Sequence, residues 1–308
     1  MTEPIAIRMG GYGPPTTCFS KGLKFIGDRL SAEFGGDVAV EYVWNIMDQG
    51  HRADEILDLV ENGTLTLGYQ SSSYLTDRIP ELGVVDLPFL FRDNDSARAA
   101  IDSGLGRFLT KRIEEKTNFR VLGYFENGFR QISNSVRPVR TPADLVGVRI
   151  RVLPSKVQAR TFELLGAKPM VMDLSEALAA LKAGSVDAQE NPLANTVTYG
   201  VHKLHRFHTL TNHFYISRPI FLNRTAFDAW PKALQQAMRR AVKDAVMFQR
   251  DLAVEEDRAA RQAIEQQGGE LTHLTLGQQA AFAAAVMPLL DEATDMYGRE
   301  AMRLVGQG

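Results

Sequence analysis

The chain has 308 residues, of which 44% are hydrophobic and 23% are charged, and this length and composition predict two globular domains. Its 35 basic residues are balanced by 37 acidic ones, so we expect no nucleic-acid partner, because such proteins usually carry a basic surface. The single cysteine, Cys18, excludes an internal disulfide and a metal site built from cysteines.

The N-terminal residues and the apolar runs bear on localisation. Residues 1–4 lack a basic segment followed by an apolar one, so we do not interpret them as a signal peptide. A cytosolic protein would begin in this way, and so would the mature form of a secreted protein with Met1 added. The longest apolar stretch, 84–91, is interrupted by Asp86 and Pro88, so the sequence predicts no transmembrane helix.

The first third of the chain alternates between strand and helix patterns. The predicted elements are a strand at 5–9, a helix at 17–33, a strand at 38–44, a helix at 52–61 and a strand at 65–69. A turn rich in glycine and proline follows the first strand. Its Gly11-x-Gly13-x-x-Thr16 pattern lacks the third glycine of a dinucleotide-binding loop, so we predict no nucleotide and no other cofactor.

The middle of the chain repeats this alternation. Thr141-Pro142-Ala143-Asp144 and Asp173-Leu174-Ser175-Glu176 each place an acid three residues after a capping residue, which is typical of a helix start. The helix that begins at the second motif is predicted to end at Gly184. Strands are predicted at 148–152 and 185–188. Strands that alternate with helices predict an α/β fold with a parallel-type sheet covered by helices.

The last third of the chain is different. Residues 231–267 have the pattern of nearly continuous helix, rich in alanine, glutamine, arginine and glutamate, without internal proline or glycine. At about 1.5 Å per residue, such a helix would be on the order of 50 Å long. The residues leave two interpretations open, namely one long helix that crosses both domains or two helices with an unrecognised break.

Catalytic and metal-binding motifs are mostly absent. The sequence contains no Gly-x-Ser-x-Gly motif, no His-Glu-x-x-His motif and no phosphate-binding loop. His202, His205 and His208 are spaced three residues apart, which on a helix would permit a shared metal ion. No carboxylate accompanies them at a matching spacing, so the sequence favours a solvated, histidine-rich surface, and we predict no metal site.

Three polar residues are candidates for binding an anion. Arg151 lies near the C-terminal end of the strand at 148–152, where ligands of open α/β sheets collect, and its guanidinium could hold a carboxylate by two parallel hydrogen bonds. Asn191 precedes Pro192, which favours extended backbone. Arg130 is also near a strand end. Two arginines directed at one crevice would repel each other unless an anion lay between them, so we expect a carboxylate ligand.

These candidates belong to a series of motifs in a fixed order. In chain order the motifs are Asn127-Gly128-Phe129-Arg130, Ser133-Asn134-Ser135-Val136-Arg137-Pro138, Thr141-Pro142-Ala143-Asp144-Leu145, Gly147-Val148-Arg149-Ile150-Arg151-Val152, Leu165-Gly166-Ala167, Gly184-Ser185-Val186-Asp187-Ala188-Gln189-Glu190-Asn191-Pro192 and Thr211-Asn212-His213. The series resembles the substrate-binding proteins of the tripartite ATP-independent periplasmic (TRAP) transporters, the DctP-type family. The resemblance covers nearly the whole chain and is strongest from 123 to 223.

The resemblance implies an α/β, two-lobed fold of the periplasmic-binding-protein type, in which each lobe is a mixed sheet flanked by helices. It implies that the helix at 231–267 spans both lobes, and that a ligand cleft lies between them. Each lobe is then built from separate segments, which we place at 1–127 plus 216–255 for lobe I and at 128–215 plus 256–308 for lobe II. It further implies a periplasmic protein, here in its mature form without a signal peptide. Its partners would be the TRAP membrane permease subunits, with no ATPase.

The resemblance also implies roles for individual residues. The arginine that matches Arg151 forms a salt bridge with the substrate carboxylate in this family, and residues that match Arg130 and Asn191 support the same group. Gln70 stands where members that bind sialic-acid-type ligands have glutamate, and Leu174 replaces an aromatic residue. Further ligand contacts are predicted for Gln70, Tyr12, Trp44, Met172 and Phe214. This pocket is less polar than a sugar acid requires, so we expect a compact or aromatic carboxylic acid.

The predicted function is therefore the capture of a small organic carboxylate for transport by a TRAP membrane complex, without catalysis. Two other classes of function stay open at this point. One is an enzyme acting on a small organic acid, with Glu190 or His213 as its general base. The other is a solute sensor that presents its ligand to a receptor.

Overall fold

A computed structural model describes residues 3–306 as two compact units, each with one β-sheet flanked by helices. The first unit comprises the chain up to Ser71, together with Thr110–Glu126 and Ser217–Val254. The second unit comprises Ser72–Leu109, Asn127–Ile216 and the chain from Glu255 onwards. Each unit is therefore assembled from segments that are far apart in sequence.

The strands position the predicted site residues, most of which lie at or just beyond the ends of strands. In chain order they are β1 (Ile5–Gly10), β2 (Val38–Val43), β3 (Leu67–Tyr69), β4 (Phe119–Phe129), β5 (Gln131–Asn134), β6 (Arg149–Val152), β7 (Lys168–Val171), β8 (Ala188–Asn191), β9 (Phe207–Leu210), β10 (Tyr215–Asn223) and β11 (Glu270–His273).

The helices pack on the two sheets. In chain order they are α1 (Cys18–Phe34), α2 (Ile56–Glu61), α3 (Asn94–Ile101), α4 (Gly104–Lys116), α5 (Lys156–Leu164), α6 (Leu174–Lys182), α7 (Leu193–Thr198), α8 (Arg224–Ala229), α9 (Lys232–Gln266), α10 (Leu276–Ala285) and α11 (Met287–Leu304). Within residues 3–306, no helix is long and apolar enough to cross a lipid bilayer.

The sheet of the first unit has the strand order β2-β1-β3-β10-β4. β1 pairs in parallel with both β2 and β3, whereas β10 runs antiparallel to β3. Because β1, β2 and β3 are parallel neighbours, the residues that follow them all lie at one edge of this sheet. Gly123 of β4 lies against Val242 and Val246 of α9, where a larger side chain would have little room. This close contact seats α9 on the first unit.

The sheet of the second unit has the strand order β11-β9-β5-β8-β6-β7. β6 pairs in parallel with β7 and β8, and β5 runs antiparallel to β8 and β9. The C-terminal ends of β6, β7 and β8 and the N-terminal end of β5 therefore lie at one edge. The core beneath this sheet contains Ile132, Ile150, Phe162 and Phe214, all at most 1% exposed.

The helix start signals of the sequence are confirmed in part. Thr17 accepts a hydrogen bond from the Ser20 backbone N–H at 3.2 Å and so caps α1. Asp173 caps α6 in the same way, accepting from the Ser175 N–H at 2.7 Å. The Thr141 motif begins only a 3-10 helix, Pro142–Leu145, because the chain turns at Gly147 with a φ of 76°.

The strand predicted at 185–188 is wrong in position, since β8 occupies Ala188–Asn191. The helix α6 ends at Lys182 with Ala183 as its C-cap, as the glycine indicated, but the chain then turns at Gly184, whose φ is 68°. The Ser185 N–H still donates to the Ala180 carbonyl at 3.1 Å, which closes the end of the helix. Pairing with β5 begins only where Ala188 meets Asn134.

The interpretation of the C-terminal pattern as one long helix is confirmed. α9 is a single helix of 35 residues, and the division between the units falls within it, after Val254. One polar side chain of α9, Gln249, is fully buried. Its amide accepts from the Glu126 N–H at 2.9 Å and donates to the Glu126 carbonyl at 2.8 Å, which ties α9 to the end of β4 in the first unit.

Residues 72–109 group with the second unit, although the sequence analysis placed them in lobe I. The 3-10 segment Pro80–Asp86 packs against α5 and α11 of that unit. At Gly83 a Cβ atom would lie 2.4 Å from the Tyr297 hydroxyl, so the two elements are in close contact. The Phe89 N–H also donates to the His213 carbonyl at 2.8 Å. Tertiary contacts far along the chain therefore decide where this segment belongs.

Candidate functional site

One edge of the second unit's sheet brings three of the predicted site residues together. Arg151 lies near the C-terminal end of β6, and Asn191 ends β8, the parallel neighbour of β6. Arg130 immediately precedes β5, whose first residue, Gln131, pairs with Asn191. The strand-end positions inferred from the sequence thus converge on one edge of the sheet.

Arg151 is a buried cation whose bonds are all to neutral groups. Its side chain is 1% exposed. Nε and Nη2 donate to the Met172 carbonyl at 3.1 and 2.9 Å, and Nη2 also donates to the Tyr74 hydroxyl oxygen at 3.2 Å. In the described part of the chain, Arg151 forms no salt bridge, and its hydrogen bonds come from Nε and Nη2. A buried charge without a counter-ion is unfavourable, so Arg151 is suited to an anionic ligand.

Tyr74 extends this group of hydrogen-bond donors. Burial raises the pKa of its hydroxyl to about 12, although the neighbouring Arg151 charge opposes the rise. The hydroxyl therefore keeps its proton at neutral pH. Because its oxygen accepts from Arg151, its hydrogen is free to be donated elsewhere. Arg151 and Tyr74 together offer a carboxylate both charge and a neutral donor.

Arg130 already has a counter-ion, which corrects one step of the sequence argument. Its Nε donates to Glu190 Oε2, and Nη2 donates to Glu190 Oε1 at 2.9 Å and to the Glu190 carbonyl at 2.6 Å. Burial alone would raise the pKa of the Glu190 carboxyl, but the Arg130 charge, together with the neighbouring His213 and the hydrogen bonds from Arg130, holds that pKa below its usual range. The expectation that an anion must lie between Arg130 and Arg151 is therefore wrong, because Glu190 supplies the negative charge. A contact between Arg130 and the ligand stays a prediction.

Glu190 and His213 are also the residues that the enzyme alternative needs. Both are at most 1% exposed, and His213 Nε2 lies 3.5 Å from Glu190 Oε2. His213 Nδ1 lies 2.6 Å from the Thr211 hydroxyl, and burial lowers the pKa of its imidazole. Glu190 is thus held by Arg130, and His213 is held through Nδ1, while His213 Nε2 is buried and has no hydrogen-bond partner among the described residues. This arrangement favours a structural role over that of a general base.

Asn191 has one side of its amide fixed by the protein. Its Oδ1 accepts from Asn195 Nδ2 at 3.1 Å, and the same nitrogen donates to Asn127 Oδ1 at 3.0 Å. Among residues 3–306, Asn191 Nδ2 has no hydrogen-bond acceptor. With its oxygen held in this way, the amide presents a donor, which suits the support of an anion.

Met172 and Phe214 both have structural roles in the fold. The Met172 carbonyl fixes Arg151, while its side chain packs with Leu181, Val186 and Val201. Phe214 lies in the core of the second unit, and its carbonyl accepts from the Arg130 N–H at 2.9 Å. A side-chain contact of either residue with a ligand stays a prediction.

The other three predicted residues lie in the first unit and share an edge of its sheet. Tyr12 follows β1, Trp44 follows β2 and Gln70 follows β3, all at the C-terminal ends of parallel strands. Trp44 is half-buried and stacks on Tyr42 with 4.4 Å between ring centres. The Gln70 amide is used locally, because it donates to the Ala53 carbonyl and accepts from the Ser71 N–H, both at 2.8 Å. Ligand contacts by these residues stay predictions.

Arg218 is a buried cation that the sequence analysis missed. It lies on β10, is 4% exposed, and its guanidinium carbon is 3.9 Å from the centre of the Phe19 ring. The rings of Tyr12 and Tyr69 lie at 4.9 and 5.7 Å. An arginine within the largely apolar run 214–222 was the available signal. These aromatic faces stabilise its charge by cation–π interactions.

The three spaced histidines are buried, so the predicted solvated histidine surface is wrong. His202, His205 and His208 are 9%, 3% and 0% exposed. They lie on a 3-10 turn, a loop and the inner strand β9 rather than on one helix. His205 Nδ1 lies 2.9 Å from the Ser133 hydroxyl, and His208 Nε2 lies 3.0 Å from the His205 carbonyl. Across residues 3–306, no group of three or more histidine, cysteine or acidic side chains is arranged to hold a metal ion.

The burial of His205 and His208 predicts a loss of stability in acid. It lowers the pKa of His205 and of His208 from 6.5 to about 4 each. The unfolded chain therefore binds more protons than the folded one between these values. The contribution of these two histidines to the free energy of unfolding should be at its full value above pH 6.5 and fall as the pH decreases towards 4. Urea unfolding at a series of pH values measures this slope.

Substitutions test whether His205 and His208 cause this dependence of the free energy of unfolding on pH. Asp86 acts in the opposite direction, because burial raises its pKa from 3.8 to about 6, and its contribution is lost as the pH rises through 6. The slope should therefore become shallower in His205→Gln and His208→Gln and steeper in Asp86→Asn, while exposed His273→Gln serves as the control. An unchanged slope in both buried-histidine variants would refute this origin.

The comparisons with known proteins cover most of the chain. Residues 9–295 match the family described as bacterial extracellular solute-binding protein, family 7 (DctP). A solute-binding protein of Verminephrobacter eiseniae is 32% identical over 271 residues, which cover 88% of this chain and 79% of that protein. The 2,3-diketo-L-gulonate-binding periplasmic protein of Escherichia coli is 31% identical over 248 residues, with 80% and 74% covered.

The fold is similar to that of solved TRAP periplasmic solute-binding proteins. One of these, from Sulfurospirillum deleyianum with bound succinate, superimposes with a TM-score of 0.92 at 28% identity. The superposition covers 99% of this chain and 99% of that chain. The predicted two-lobed α/β fold with a long helix is thereby confirmed.

Proposed function

Because the chain belongs to family 7 of the bacterial extracellular solute-binding proteins, the substrate-binding proteins of TRAP transporters, we propose that it captures a small organic carboxylate in the periplasm and delivers it to a TRAP membrane complex. The single observation that carries the ligand class is Arg151. Its guanidinium is buried and bonded only to a carbonyl and a hydroxyl oxygen, so its charge is left for an anion. A carboxylate matches the planar fork of its N–H groups.

The neighbouring groups support a carboxylate over other anions. Tyr74 supplies a neutral hydroxyl beside Arg151, and Asn191 supplies an amide donor at the same sheet edge. Two relatives with known ligands fit this class, because 2,3-diketo-L-gulonate and succinate are both carboxylates. Capture without catalysis is favoured by the closed Arg130–Glu190 pair, which leaves the Glu190 carboxylate engaged by the protein.

We propose that the protein binds its ligand and then closes around it. Arg151 and its neighbours would receive the carboxylate, and closure of the two lobes would exclude water. Exclusion of water strengthens the attraction between the guanidinium and the carboxylate, because a lower local dielectric constant screens charges less. A ligand cleft between the lobes stays a prediction.

A thermal-shift screen tests the proposed ligand class. The purified protein is heated with several hundred organic acids, sugars, amino acids and diols. A ligand present at about 100 times its Kd should stabilise the folded protein by roughly 2.7 kcal/mol, which raises the melting temperature measurably. We expect the shifts to be confined to carboxylates. Strong shifts with uncharged sugars or diols, and none with carboxylates, would contradict the proposal.

A further inference from the structure

Asp173 has a buried carboxylate oxygen that the fold does not use. The residue directly follows Met172, whose carbonyl fixes Arg151, and it is 2% exposed. Its Oδ2 caps α6 by accepting from the Ser175 N–H at 2.7 Å. Its Oδ1 is inaccessible to solvent and has no hydrogen-bond partner in the described residues.

Helix capping accounts for only one of the two carboxylate oxygens of Asp173. A helix N-cap needs an acceptor for the first free N–H groups, and a serine hydroxyl serves this purpose as well as a carboxylate does. At an exposed helix start, the second oxygen of an aspartate is hydrated. At Asp173 it is enclosed, and a buried acceptor without a donor costs free energy. A hydrogen-bond donor from outside the chain would remove that cost.

The unused oxygen belongs to the same group as the anion-binding residues. Arg151 joins Met172 and Tyr74 through its Nη2, so these residues surround one guanidinium. The Met172 carbonyl that binds Arg151 belongs to the peptide group that joins Met172 to Asp173, and the Asp173 charge acts on the Tyr74 hydroxyl, whose pKa it raises. This part of the second unit therefore combines donors suited to a carboxylate with an acceptor suited to a hydroxyl.

We propose that Asp173 Oδ1 accepts a hydrogen bond from a hydroxyl group of the ligand, so that the protein selects hydroxycarboxylates over the corresponding deoxy acids. The inference rests on the proposed function and narrows it. It adds a hydroxyl group to the compact or aromatic carboxylic acid expected from the sequence. The charge of Asp173 also disfavours a second carboxylate at the position of that hydroxyl, since like charges repel.

Affinities for matched pairs of acids test this selectivity. Suitable pairs are lactate with propionate, 3-hydroxybutyrate with butyrate, malate with succinate, and 2-hydroxyglutarate with glutarate. In the wild-type protein, the best-binding hydroxy acid should bind about 10- to 100-fold more tightly than its deoxy partner, the range expected for a hydrogen bond to a charged group. Isothermal titration calorimetry gives both dissociation constants.

The variant Asp173→Ser keeps a capping hydroxyl but removes the second oxygen. The preference for the hydroxy acid should fall to about threefold or less, while the affinity for the deoxy acid stays the same or improves. The control is Asp93→Ser, which makes the same change at the N-cap of α3, where Asp93 accepts from the Ser96 N–H at 2.8 Å. This control should keep the wild-type preference.

The outcomes separate this inference from the proposed function. Carboxylates that bind without any preference for the hydroxyl overturn the role of Asp173 and leave the proposed function in place. An unchanged preference in Asp173→Ser, or an equal loss of affinity for both acids, also overturns it. If no carboxylate binds the wild-type protein at all, the proposed function fails, and the inference fails with it.

Discussion

Replacing Arg151 with alanine should weaken binding of the carboxylate ligand by about 2–5 kcal/mol, or roughly 30- to 5,000-fold in Kd. The effect is large because the substitution leaves the ligand anion in a water-excluded site without its counter-ion. Tyr74 and Asn191 would still donate hydrogen bonds, but they are neutral and cannot replace the charge. Calorimetric titration of both proteins with the carboxylate that gives the largest thermal shift measures the difference.

Two variants serve as controls for this result. Arg149 lies two residues earlier on β6, and its guanidinium bonds to Asp187 at 2.6 Å, so Arg149→Ala should leave ligand affinity within about threefold of wild type. Arg151→Lys keeps the charge but loses the planar fork, so its affinity should lie between those of wild type and Arg151→Ala. Near-normal affinity in a folded Arg151→Ala protein would refute the role of this residue.

Replacing Glu190 with glutamine should lower the free energy of unfolding by about 3–5 kcal/mol, because it leaves the charge of Arg130 buried without its partner. Arg130 and Glu190 are at most 1% exposed, so solvent does not screen the remaining charge. The expected decrease in melting temperature is on the order of 10 °C. Calorimetry and urea unfolding without ligand measure both quantities.

The double variant Arg130→Met, Glu190→Leu identifies the cause of the destabilisation. It removes both charges together, so it should recover most of the stability lost in Glu190→Gln. An exposed pair provides the comparison, since Lys24 and Asp28 lie on the surface of α1 and Asp28→Asn should change stability by at most about 1 kcal/mol. A Glu190→Gln protein as stable as wild type would show that the buried pair is not required for folding.

Local sequence patterns were sufficient for the strand ends of the site. Arg151 and Asn191 were identified because alternating apolar residues define a strand and a proline limits the backbone that precedes it. These signals act over a few residues, and the structure places both side chains at one sheet edge. The long helix was different, because its residues showed helical periodicity but could not show that no break occurs.

Contacts between residues far apart in the chain could not be predicted from the sequence. Arg130 and Glu190 are 60 residues apart, and nothing near either residue indicates that they bond. The same holds for Gly83 and Tyr297, whose contact belongs to the packing that places residues 72–109 in the second unit. Such contacts depend on how strands and helices assemble, which local periodicity does not encode.

The burial of polar groups could not be predicted from the sequence either. The spacing of the histidines suggested one exposed face, but β9 is an inner strand of the six-stranded sheet, so His208 is enclosed. Asp173 was correctly identified as a helix cap, and its second oxygen gave no signal in the sequence. The chemistry of both depends on the residues that cover them.

The central claim is that Arg151 binds the ligand through a carboxylate, and the most direct test compares a carboxylate with its neutral carboxamide. Both compounds have nearly the same shape, so their affinities for the wild-type protein differ mainly by the charge. The account predicts that the carboxamide binds at least about 30-fold more weakly to wild type, and that Arg151→Ala removes most of this difference. Equal binding of the two compounds to the wild-type protein would contradict it.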